Sequence, residues 1–487
     1  MSTIWDSYDA QSRELYIKSI QALGALSPMF RQKSEGSEDR TAFISSKYQE
    51  TVFARFFKGK VVDRGNDPYD VMVPSPCEGK RDLVGIKTFL NSSSSMQKVM
   101  QFKKVANNEG WSQWIADKEY GRLIKRIAEL RNQKLRSTQN LLAGAGHTPE
   151  SAFENVFYHY LSPAKDGYVH VGEADYPFMD EYRLSYTEPD ANSRVTAIFF
   201  TDGVHEFKYT PADSTLYMRF NHREKCPDGD IVDEFEVCYF EDPHAALMRM
   251  LENEFGANLP PVKEGIPANV DFVAALDTIE EEPEEYVVFP LFRLVKLKDT
   301  KAGEVDKKSG FNIRLSKSKQ KGSNKPRPVN EVEIRIPKAY KFHETYPFFF
   351  GATTTGEPKS KLHKVGREWK ADFDIDQRTF KLTLTQSGVE MEAIITGDSN
   401  KQIMSKGSQE ILGSWILSQV FQLAPYERLT RDKLDELGLD GIKLIRLDEG
   451  HIGMEFIKVS DKDLRHLWPN EPEKFQELAL IEESEEE

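Results

Sequence analysis

The chain has 487 residues, of which 39% are hydrophobic and 30% are charged. This length and apolar content suit a protein with two to four folded domains, and no run of about 18 apolar residues is present to form a membrane helix. Three cysteines, odd in number and far apart, exclude a disulfide framework and a cysteine-rich zinc site. The N-terminus lacks the basic and apolar segments of an export signal, so we expect a cytoplasmic protein without a membrane partner.

The charge is unevenly distributed, although its total of −14 argues against a nucleic-acid partner. Residues 277–285 contain six acids and no base, and residues 468–487 contain eight Glu and one Lys. Between 296 and 327, by contrast, eleven Lys or Arg face three acids, a local balance of +8. Local patches decide where a polyanion docks, so 296–327 is either a nucleic-acid contact or a solvated loop.

The first 110 residues predict the order helix, strand, turn, strand, helix. Apolar spacing favours helices over 5–33 and over 43–57, with Glu50 on the second of them. The β-rich runs YDVMV and LVGIKTF flank the turn-rich PSPCEGKRD and predict a hairpin. The serine run of NSSSSMQKVMQFKKVANN predicts the cap of a further helix. No Gly-rich phosphate loop follows a strand, so we expect an α/β (α+β) nuclease-like domain with a mixed sheet.

Residues 118–136 predict a helix with an apolar stripe, and TPESAFENVFYHYL begins with a helix cap. Several strands follow, with a hairpin turn at Asp202-Gly203, before a helix capped by Asp242. We therefore predict a nuclease-like domain at 1–256, a linker at 257–285, a mostly-β domain at 286–462 and an acidic tail at 463–487. Within the mostly-β domain, two helices are predicted in SQEILGSWILSQVFQL and TRDKLDELG, the latter capped by Thr430 and stopped by Gly438.

The predicted hairpin brings an acid and a lysine onto neighbouring strands. Asp70 opens the first strand, and Lys87 lies within the second. Such a pair can hold a divalent cation and activate water for phosphodiester hydrolysis, because the acid binds the metal while the lysine orients the nucleophile and faces developing charge. Glu50, about one helix upstream, adds a second carboxylate.

Residues 50–87 resemble the PD-(D/E)xK nuclease superfamily, in which a helix acid and a strand Asp precede an acid-x-Lys element. The resemblance implies that Glu50 is the helix acid, that Asp70 binds Mg²⁺ and that Gly85-Ile86-Lys87 is the last element. Gly85 stands where that family has an acid. A helix carboxylate replaces this acid in some relatives, which favours Glu50, and the Ile86 carbonyl is a further candidate metal ligand.

Two other interpretations compete with this one. Gln101-Phe102-Lys103, behind Asp82, also fits a loosened form of the motif, although its flanks have helical spacing. Alternatively, Asp67 and Asp70 only build a turn, and Lys87 is a surface residue.

The C-terminal half resembles the B3-like DNA-binding domain of some bacterial restriction endonucleases. The resemblance covers roughly 286–460 and includes SGFNIRLSKSKQKGSNKPRPVNEVEIRIP and YPFFFG. It implies an open β-pseudobarrel that grips the major groove with two arms, here 309–331 and 397–406. Arg, Asn and Gln read base edges and Lys suits phosphates. The predicted DNA-binding residues are Ser309, Asn312, Arg314, Lys317, Arg327, Asn330, Asn400, Lys401, Gln402 and Lys406, with Lys319, Lys321 and Lys325 as further phosphate contacts.

The two resemblances together imply a Mg²⁺-dependent endonuclease of a restriction or defence system, with double-stranded DNA as its substrate. A cognate DNA methyltransferase is an implied partner, and a homodimer is expected if both strands are cut together. No phospholipase-D-type His-x-Lys motif is present, so the nuclease-like domain has to supply the catalysis. Two alternatives stay open: a non-catalytic, sequence-specific DNA-binding subunit, and a nuclease that depends on modified DNA.

Overall fold

The chain divides into two compact units. The first comprises Met1–Asn132 with Glu150–Glu280, and the second comprises Gln133–Pro149 with Glu281–Glu487. No helix in the described part of the chain is long and apolar enough to cross a membrane. The computed structural model describes residues 4–30, 40–63, 67–90, 96–190, 194–220, 229–255, 285–294, 301–316, 326–407, 409–460 and 463.

The first unit contains two sheets. The larger has the strand order β1-β2-β3-β5-β6-β11 and is mixed, because β3 pairs in parallel with β5 while its other pairs are antiparallel. The smaller has the order β4-β10-β9-β8-β7 and is antiparallel. The strands are β1 (Lys60–Val61), β2 (Val71–Pro74), β3 (Arg81–Thr88), β4 (Met96–Gln101), β5 (Phe153–Pro163), β6 (Tyr168–Asp175), β7 (Ser185–Tyr186), β8 (Ile198–Thr201), β9 (Glu206–Thr210), β10 (Thr215–Arg219) and β11 (Gly229–Glu236).

The N-terminal helices of this unit cover one face of the larger sheet. Trp5, Tyr16 and Phe53 are buried in one apolar cluster with Val84 and Val171 from the sheet. Their burial explains the apolar spacing of the N-terminal sequence, since one helix face packs onto strands. The helices are α1 (Ile4–Ser7), α2 (Ala10–Gly24), α3 (Ser46–Phe56), α4 (Lys103–Glu109), α5 (Trp111–Ala116), α6 (Tyr120–Ala143), α7 (Pro149–Ala152) and α8 (Pro243–Phe255).

Two sequence predictions in this unit are wrong. The segment after the serine run forms β4 rather than a helix, because Met100 is buried where β4 pairs with β10, and a helix begins only at Lys103. The segment after Thr148 is helical for one turn only and then becomes β5, the strand beside β3. The second segment is rich in Phe, Tyr and Val, which suit a pleated surface, whereas the first is not, and pairing with a neighbouring strand decides the structure of both.

The second unit is built around one seven-stranded sheet of order β12-β19-β20-β16-β17-β18-β13. Its pairs are antiparallel except for β16 with β20, an arrangement consistent with the expected pseudobarrel. A two-stranded hairpin, β14 with β15, forms a separate sheet. The strands are β12 (Tyr286–Pro290), β13 (Ile334–Arg335), β14 (Leu362–Val365), β15 (Glu368–Ala371), β16 (Thr379–Leu384), β17 (Val389–Thr396), β18 (Gln402–Ser405), β19 (Gly441–Asp448) and β20 (His451–Ile457).

The two predicted helices of the second unit are confirmed. The first is α10 (Gln409–Ser414), which continues as a π-helix over Trp415–Val420. The second is α11 (Arg431–Leu437), where the Thr430 hydroxyl accepts a hydrogen bond from the Lys433 N–H and Gly438 ends the helix with φ +68°. A further short helix, α9 (Ala339–Thr345), precedes the separate hairpin.

The second unit also includes residues 133–149, which the sequence analysis assigned to the nuclease-like domain. Leu141 and Ala145 are buried in its main apolar core. The Trp415 indole N–H donates to the Asn140 carbonyl at 2.9 Å. Helix α6 therefore begins in the first unit and ends in the second. The predicted linker, apart from Glu285, and almost all of the acidic tail lie outside the described residues.

Candidate active site and candidate DNA interface

The hairpin of β2 and β3 fixes the position of Asp70. Val71 pairs with Val84, and the Asp70 N–H donates to the Val84 carbonyl at 3.0 Å. The Asp70 carboxylate in turn accepts the Ile86 N–H at 2.5 Å. Both strands are held in register by this bonding, so Asp70 lies at the start of β2, beside the segment that carries Lys87.

Three carboxylates converge at this point. Glu50 on α3, Asp63 after β1 and Asp70 before β2 offer ligand oxygens that all lie within 4.8 Å of one another. Glu50 is buried, and the other two are half-buried. An all-oxygen, anionic donor set suits Mg²⁺, which prefers carboxylate and water ligands. Glu50 and Asp70 were both expected from the sequence, and the structure brings them together.

Asp63 is the member of the cluster that the sequence analysis missed. The two residues of β1 pair antiparallel with β2, Val61 opposite Val71, so the chain just after β1 returns alongside Asp70. The Val62 N–H donates to the Asp70 carbonyl at 2.9 Å. The run KVV before Asp63 was the available signal, because a strand there would pair with YDVMV and place Asp63 next to Asp70.

The Asp70 carboxyl has a perturbed pKa. Its pKa is raised from 3.8 to about 6, chiefly by burial and also by the charges of Glu50 and Asp63, against the lowering effect of Lys87 and the Ile86 N–H. Desolvation and neighbouring anions both disfavour the charged form. A bound cation would reverse the balance, and perturbed carboxyls of this kind are common at functional sites.

Lys47 makes ion pairs with two of the three carboxylates. Its Nζ lies 2.7 Å from Glu50 Oε2 and 2.8 Å from Asp63 Oδ2. Burial alone would lower the pKa of the Lys47 ammonium, but the hydrogen bonds to Asp63 and Glu50 outweigh it and the pKa is raised. The Lys47 side chain is 68% exposed, so this cation reaches the cluster from solvent.

Lys87 lies on β3, and its positive charge lowers the pKa of the Asp70 carboxyl. Its Nζ is 5.9 Å from the centre of the Tyr158 ring. A lysine held near an aromatic face and beside a carboxylate cluster has its ammonium group placed to interact with a phosphate or a water there.

Gly85 is a glycine for a steric reason. A Cβ atom there would lie 2.6 Å from the Tyr158 ring and 2.8 Å from the Tyr176 ring. These two rings stack on each other with centres 3.9 Å apart. An acidic side chain therefore does not fit at Gly85. The third carboxylate of the cluster comes instead from Asp63, elsewhere in the chain.

The competing motif is not assembled in the described residues. Gln101 ends β4 in the smaller sheet, and its amide donates to the Asp213 carbonyl. Asp82 lies in the larger sheet, fully buried, and accepts hydrogen bonds from the Tyr8 hydroxyl and from Asn155. The proposed role of the Ile86 carbonyl stays a prediction.

In the second unit, several of the predicted DNA-binding side chains are buried. The Asn312 amide donates to the carbonyls of Asp306 and Leu429, and the Arg314 guanidinium donates to the carbonyls of Phe311 and Glu427. This placement disagrees with the prediction that these two side chains read bases, because their donors are used inside the domain.

Asn400 is also buried, and its amide oxygen accepts a hydrogen bond from Arg378 at 2.6 Å. Its φ of +51° is a left-handed value that suits the tight turn between β17 and β18. Asn400 therefore shapes the turn of the second predicted arm, and its contact with a base stays a prediction.

The other predicted contacts are more accessible. Lys401 is exposed, Lys406 and Asn330 are half-buried, and Ser309 is half-buried near the start of the first predicted arm. Gln402 donates to Glu333 at 2.6 Å, and Arg327 forms an ion pair with Glu331. The predicted phosphate contacts Lys317, Lys319, Lys321 and Lys325 lie outside the described residues.

The second unit thus belongs to the class of mostly antiparallel β-domains with short peripheral helices. Residues 292–448 match the family model of the NgoFVII C-terminal B3-like DNA-binding domain. This part of the chain is similar to a B3-like DNA-binding domain of a restriction endonuclease, as the sequence predicted, and the match supports DNA as a partner. No curated protein is similar enough to this chain to count as a match.

Proposed function

We propose that the protein is a Mg²⁺-dependent DNA endonuclease of a restriction system, with double-stranded DNA as its substrate. The observation that supports this most is the convergence of Glu50, Asp63 and Asp70 beside Lys87, in a chain that also carries a B3-like DNA-binding domain. Lys47 offsets only part of the charge of these three carboxylates, and a bound divalent cation would offset the rest.

In this proposal the three carboxylates hold Mg²⁺. The ion, when bound, supplies a Lewis acid for a phosphate oxygen and lowers the pKa of a bound water. Asp70 is kept in place by the Ile86 N–H, and a pKa of about 6 without a bound ion makes its carboxyl mostly anionic at pH 7 and above. Lys87 positions the attacking water and faces the charge that develops on the phosphate. Hydrolysis of this kind leaves a 5′-phosphate.

The test is cleavage of phage or plasmid DNA by the purified full chain. We expect cleavage with Mg²⁺ and none with EDTA, and Asp70→Asn should abolish cleavage while leaving DNA retention unchanged. Asp63→Asn should raise the Mg²⁺ concentration needed for half-maximal cleavage roughly tenfold or more, since one anionic ligand is lost. Undiminished cleavage by Asp70→Asn would reject this site.

One alternative keeps support from the structure. The site lacks an acid at Gly85, so the chain could be a DNA-binding subunit whose first unit is a scaffold. Retention of DNA with no metal-dependent cleavage over many substrates would favour that alternative. Cleavage of a methylated plasmid but not of its unmethylated copy would instead identify a nuclease that depends on modified DNA.

A further inference from the structure

The hairpin of β14 and β15 stands apart from the main sheet of the second unit. Its strands pair with each other, Leu362 opposite Ala371 and Val365 opposite Glu368. Every residue from His363 to Lys370 is exposed. A two-stranded ribbon with both faces in solvent contributes little to a core and is marginally stable by itself, so packing alone does not account for it.

The hairpin is basic. Between 361 and 370 there are four Lys or Arg and one Glu. Lys361 is paired with Glu357, whereas Arg367 and Lys370 form no ion pair with any residue that the structure describes. Lys364 lies over the Trp369 ring, 6.0 Å from its centre, and it too forms no ion pair with a residue that the structure describes.

The bases point in different directions. Lys364 lies opposite Trp369 and Lys370 lies opposite His363, so these two lysines belong to neighbouring cross-strand pairs and to opposite faces of the ribbon. Arg367 lies in the turn between the strands. A ribbon with a base on each face and one at its tip matches a groove that has a phosphate backbone on both sides.

The hairpin is fastened to the second predicted arm. The Ala371 N–H donates to the Asp398 carbonyl at 2.7 Å, and Asp398 lies within 397–406. The Trp369 ring is parallel to the exposed ring of Tyr340, with 4° between the planes and 6.1 Å between the centres. These contacts hold an exposed ribbon in a fixed direction beside the arm.

We propose that this hairpin is a third DNA-binding element of the domain, in addition to the two arms. A two-stranded ribbon fits the major groove of B-DNA, and Lys364, Arg367 and Lys370 bind phosphates on its two sides and at its tip. The inference rests on the DNA binding proposed for the whole chain. These contacts are to phosphates, so they raise the affinity for any duplex and do not select a sequence.

The test compares the full wild-type chain with a triple variant, Lys364→Gln, Arg367→Gln and Lys370→Gln, on a random-sequence 30-base-pair duplex. Fluorescence anisotropy at several salt concentrations without divalent ions gives the affinity and its salt dependence. The triple variant should bind roughly tenfold or more weakly at moderate salt, and its slope of log K against log salt should be smaller by about 2 to 3. All three residues are exposed, so the variant should fold, which circular dichroism and a melting curve check.

The matched control removes three exposed positive charges elsewhere, with Lys18→Gln, Lys381→Gln and Lys458→Gln. It should keep at least most of the affinity and the wild-type slope. Equal affinity and slope for the hairpin variant and the wild type would overturn the inference and leave the proposed DNA binding intact. An equal loss in the control would also overturn it, since net charge would then explain the effect. Failure of the wild type to bind the duplex would overturn the proposed function itself.

Discussion

The candidate active site and the candidate DNA interface use charge in opposite ways. The first gathers carboxylates in a half-buried place, where Glu50 is only 6% exposed and the pKa of Asp70 is raised. The second spreads bases over exposed loops and a hairpin, as with Lys401 and Arg367. A metal ion binds more tightly in a fixed, poorly hydrated environment, because its charge offsets the desolvation cost of several ligands. Phosphate contacts gain from exposed side chains, because their binding energy comes largely from released counterions.

This difference means that cleavage and binding can be broken separately. We expect the largest effect from Lys87→Ala, which should lower the cleavage rate of the Mg²⁺-loaded protein by about a thousandfold or more, because it removes a group that faces the developing charge. DNA affinity should stay within a factor of two or so. Initial rates on supercoiled plasmid measure the first quantity, and anisotropy in EDTA measures the second.

Lys80→Ala is the matched control, since Lys80 lies in the turn of the same hairpin and pairs with Glu154 at 2.7 Å. It should leave the cleavage rate nearly unchanged. Equal rates for Lys87→Ala and Lys80→Ala would remove Lys87 from the proposed mechanism.

The second prediction concerns the close packing around Gly85, beside the candidate active site. Gly85→Ala should lower the free energy of unfolding by about 2–3 kcal/mol, because the new methyl group overlaps the Tyr158 and Tyr176 rings. Denaturant unfolding measures this loss. Gly121→Ala on helix α6, where the nearest atom to the new Cβ is 3.7 Å away on the Tyr186 ring, should be neutral or stabilising. Adding Tyr158→Leu to Gly85→Ala should cost less than the sum of the two single changes, and strict additivity would argue against a clash.

The third prediction concerns the cost of ionising Asp70 without metal. Its pKa is about 6 in the folded chain against 3.8 ordinarily, so the folded state binds more protons between these pH values. The free energy of unfolding therefore falls as pH rises from about 4 to about 6. At pH 7.5 in EDTA, Asp70→Asn should be more stable than the wild type by about 2 kcal/mol, and this difference should vanish below pH 4.

Urea unfolding at pH 4 and 7.5 measures this difference in the free energy of unfolding between Asp70→Asn and the wild type. Glu78→Gln is the control, because Glu78 is an exposed acid of the same hairpin. Saturating Mg²⁺ should reverse the order and make the wild type the more stable protein. A wild type that remains less stable than Asp70→Asn at every Mg²⁺ concentration would mean that no ion binds here.

The smallest expected effect comes from Lys47→Met. Lys47 already forms ion pairs with Glu50 and Asp63, so a divalent ion has to compete with its ammonium group. Removing that charge should tighten Mn²⁺ binding by roughly tenfold, the size of one nearby unit charge acting on a divalent ion at the surface. Titration calorimetry at pH 7.5 measures this. Arg55→Met removes a charge from the other end of the same exposed helix face and should have little effect, whereas weaker binding by Lys47→Met would show that Lys47 organises the ligands instead.

The carboxylate site was largely accessible from sequence. Strand alternation and turn composition predicted the hairpin correctly, and a hairpin leaves little choice about which residues of its strands are neighbours. Glu50 followed from one well-marked helix. Asp63 was missed because β1 is only two residues long, too short for periodicity to reveal. The fit of Gly85 against Tyr158 could not be foreseen, since β5 was not recognised as the strand beside β3.

The DNA interface was predictable as a domain but not as a set of side chains. Ordered segments over 286–460 were enough to identify a B3-like domain. Within its loops, however, Asn312, Arg314 and Asn400 have the same chemistry whether they read bases or bond the backbone. Loops have no period from which burial can be inferred, so residue type alone assigned them to the wrong environment. The hairpin at 362–371 was not predicted, because its three Lys or Arg give a weaker charge signal than the eleven of 296–327.

The contribution of residues 133–149 to the second unit bears on how such proteins can be recombined. The family match is one continuous range that begins at residue 292. The second unit also includes residues 133–149, so it is discontinuous in the sequence. A fragment cut at residue 281 would lose Leu141 and Ala145 from its core and the partner of the Trp415 indole. Transplanting the second unit onto another protein would therefore require the earlier segment as well, and evolution faces the same requirement whenever it exchanges the first unit.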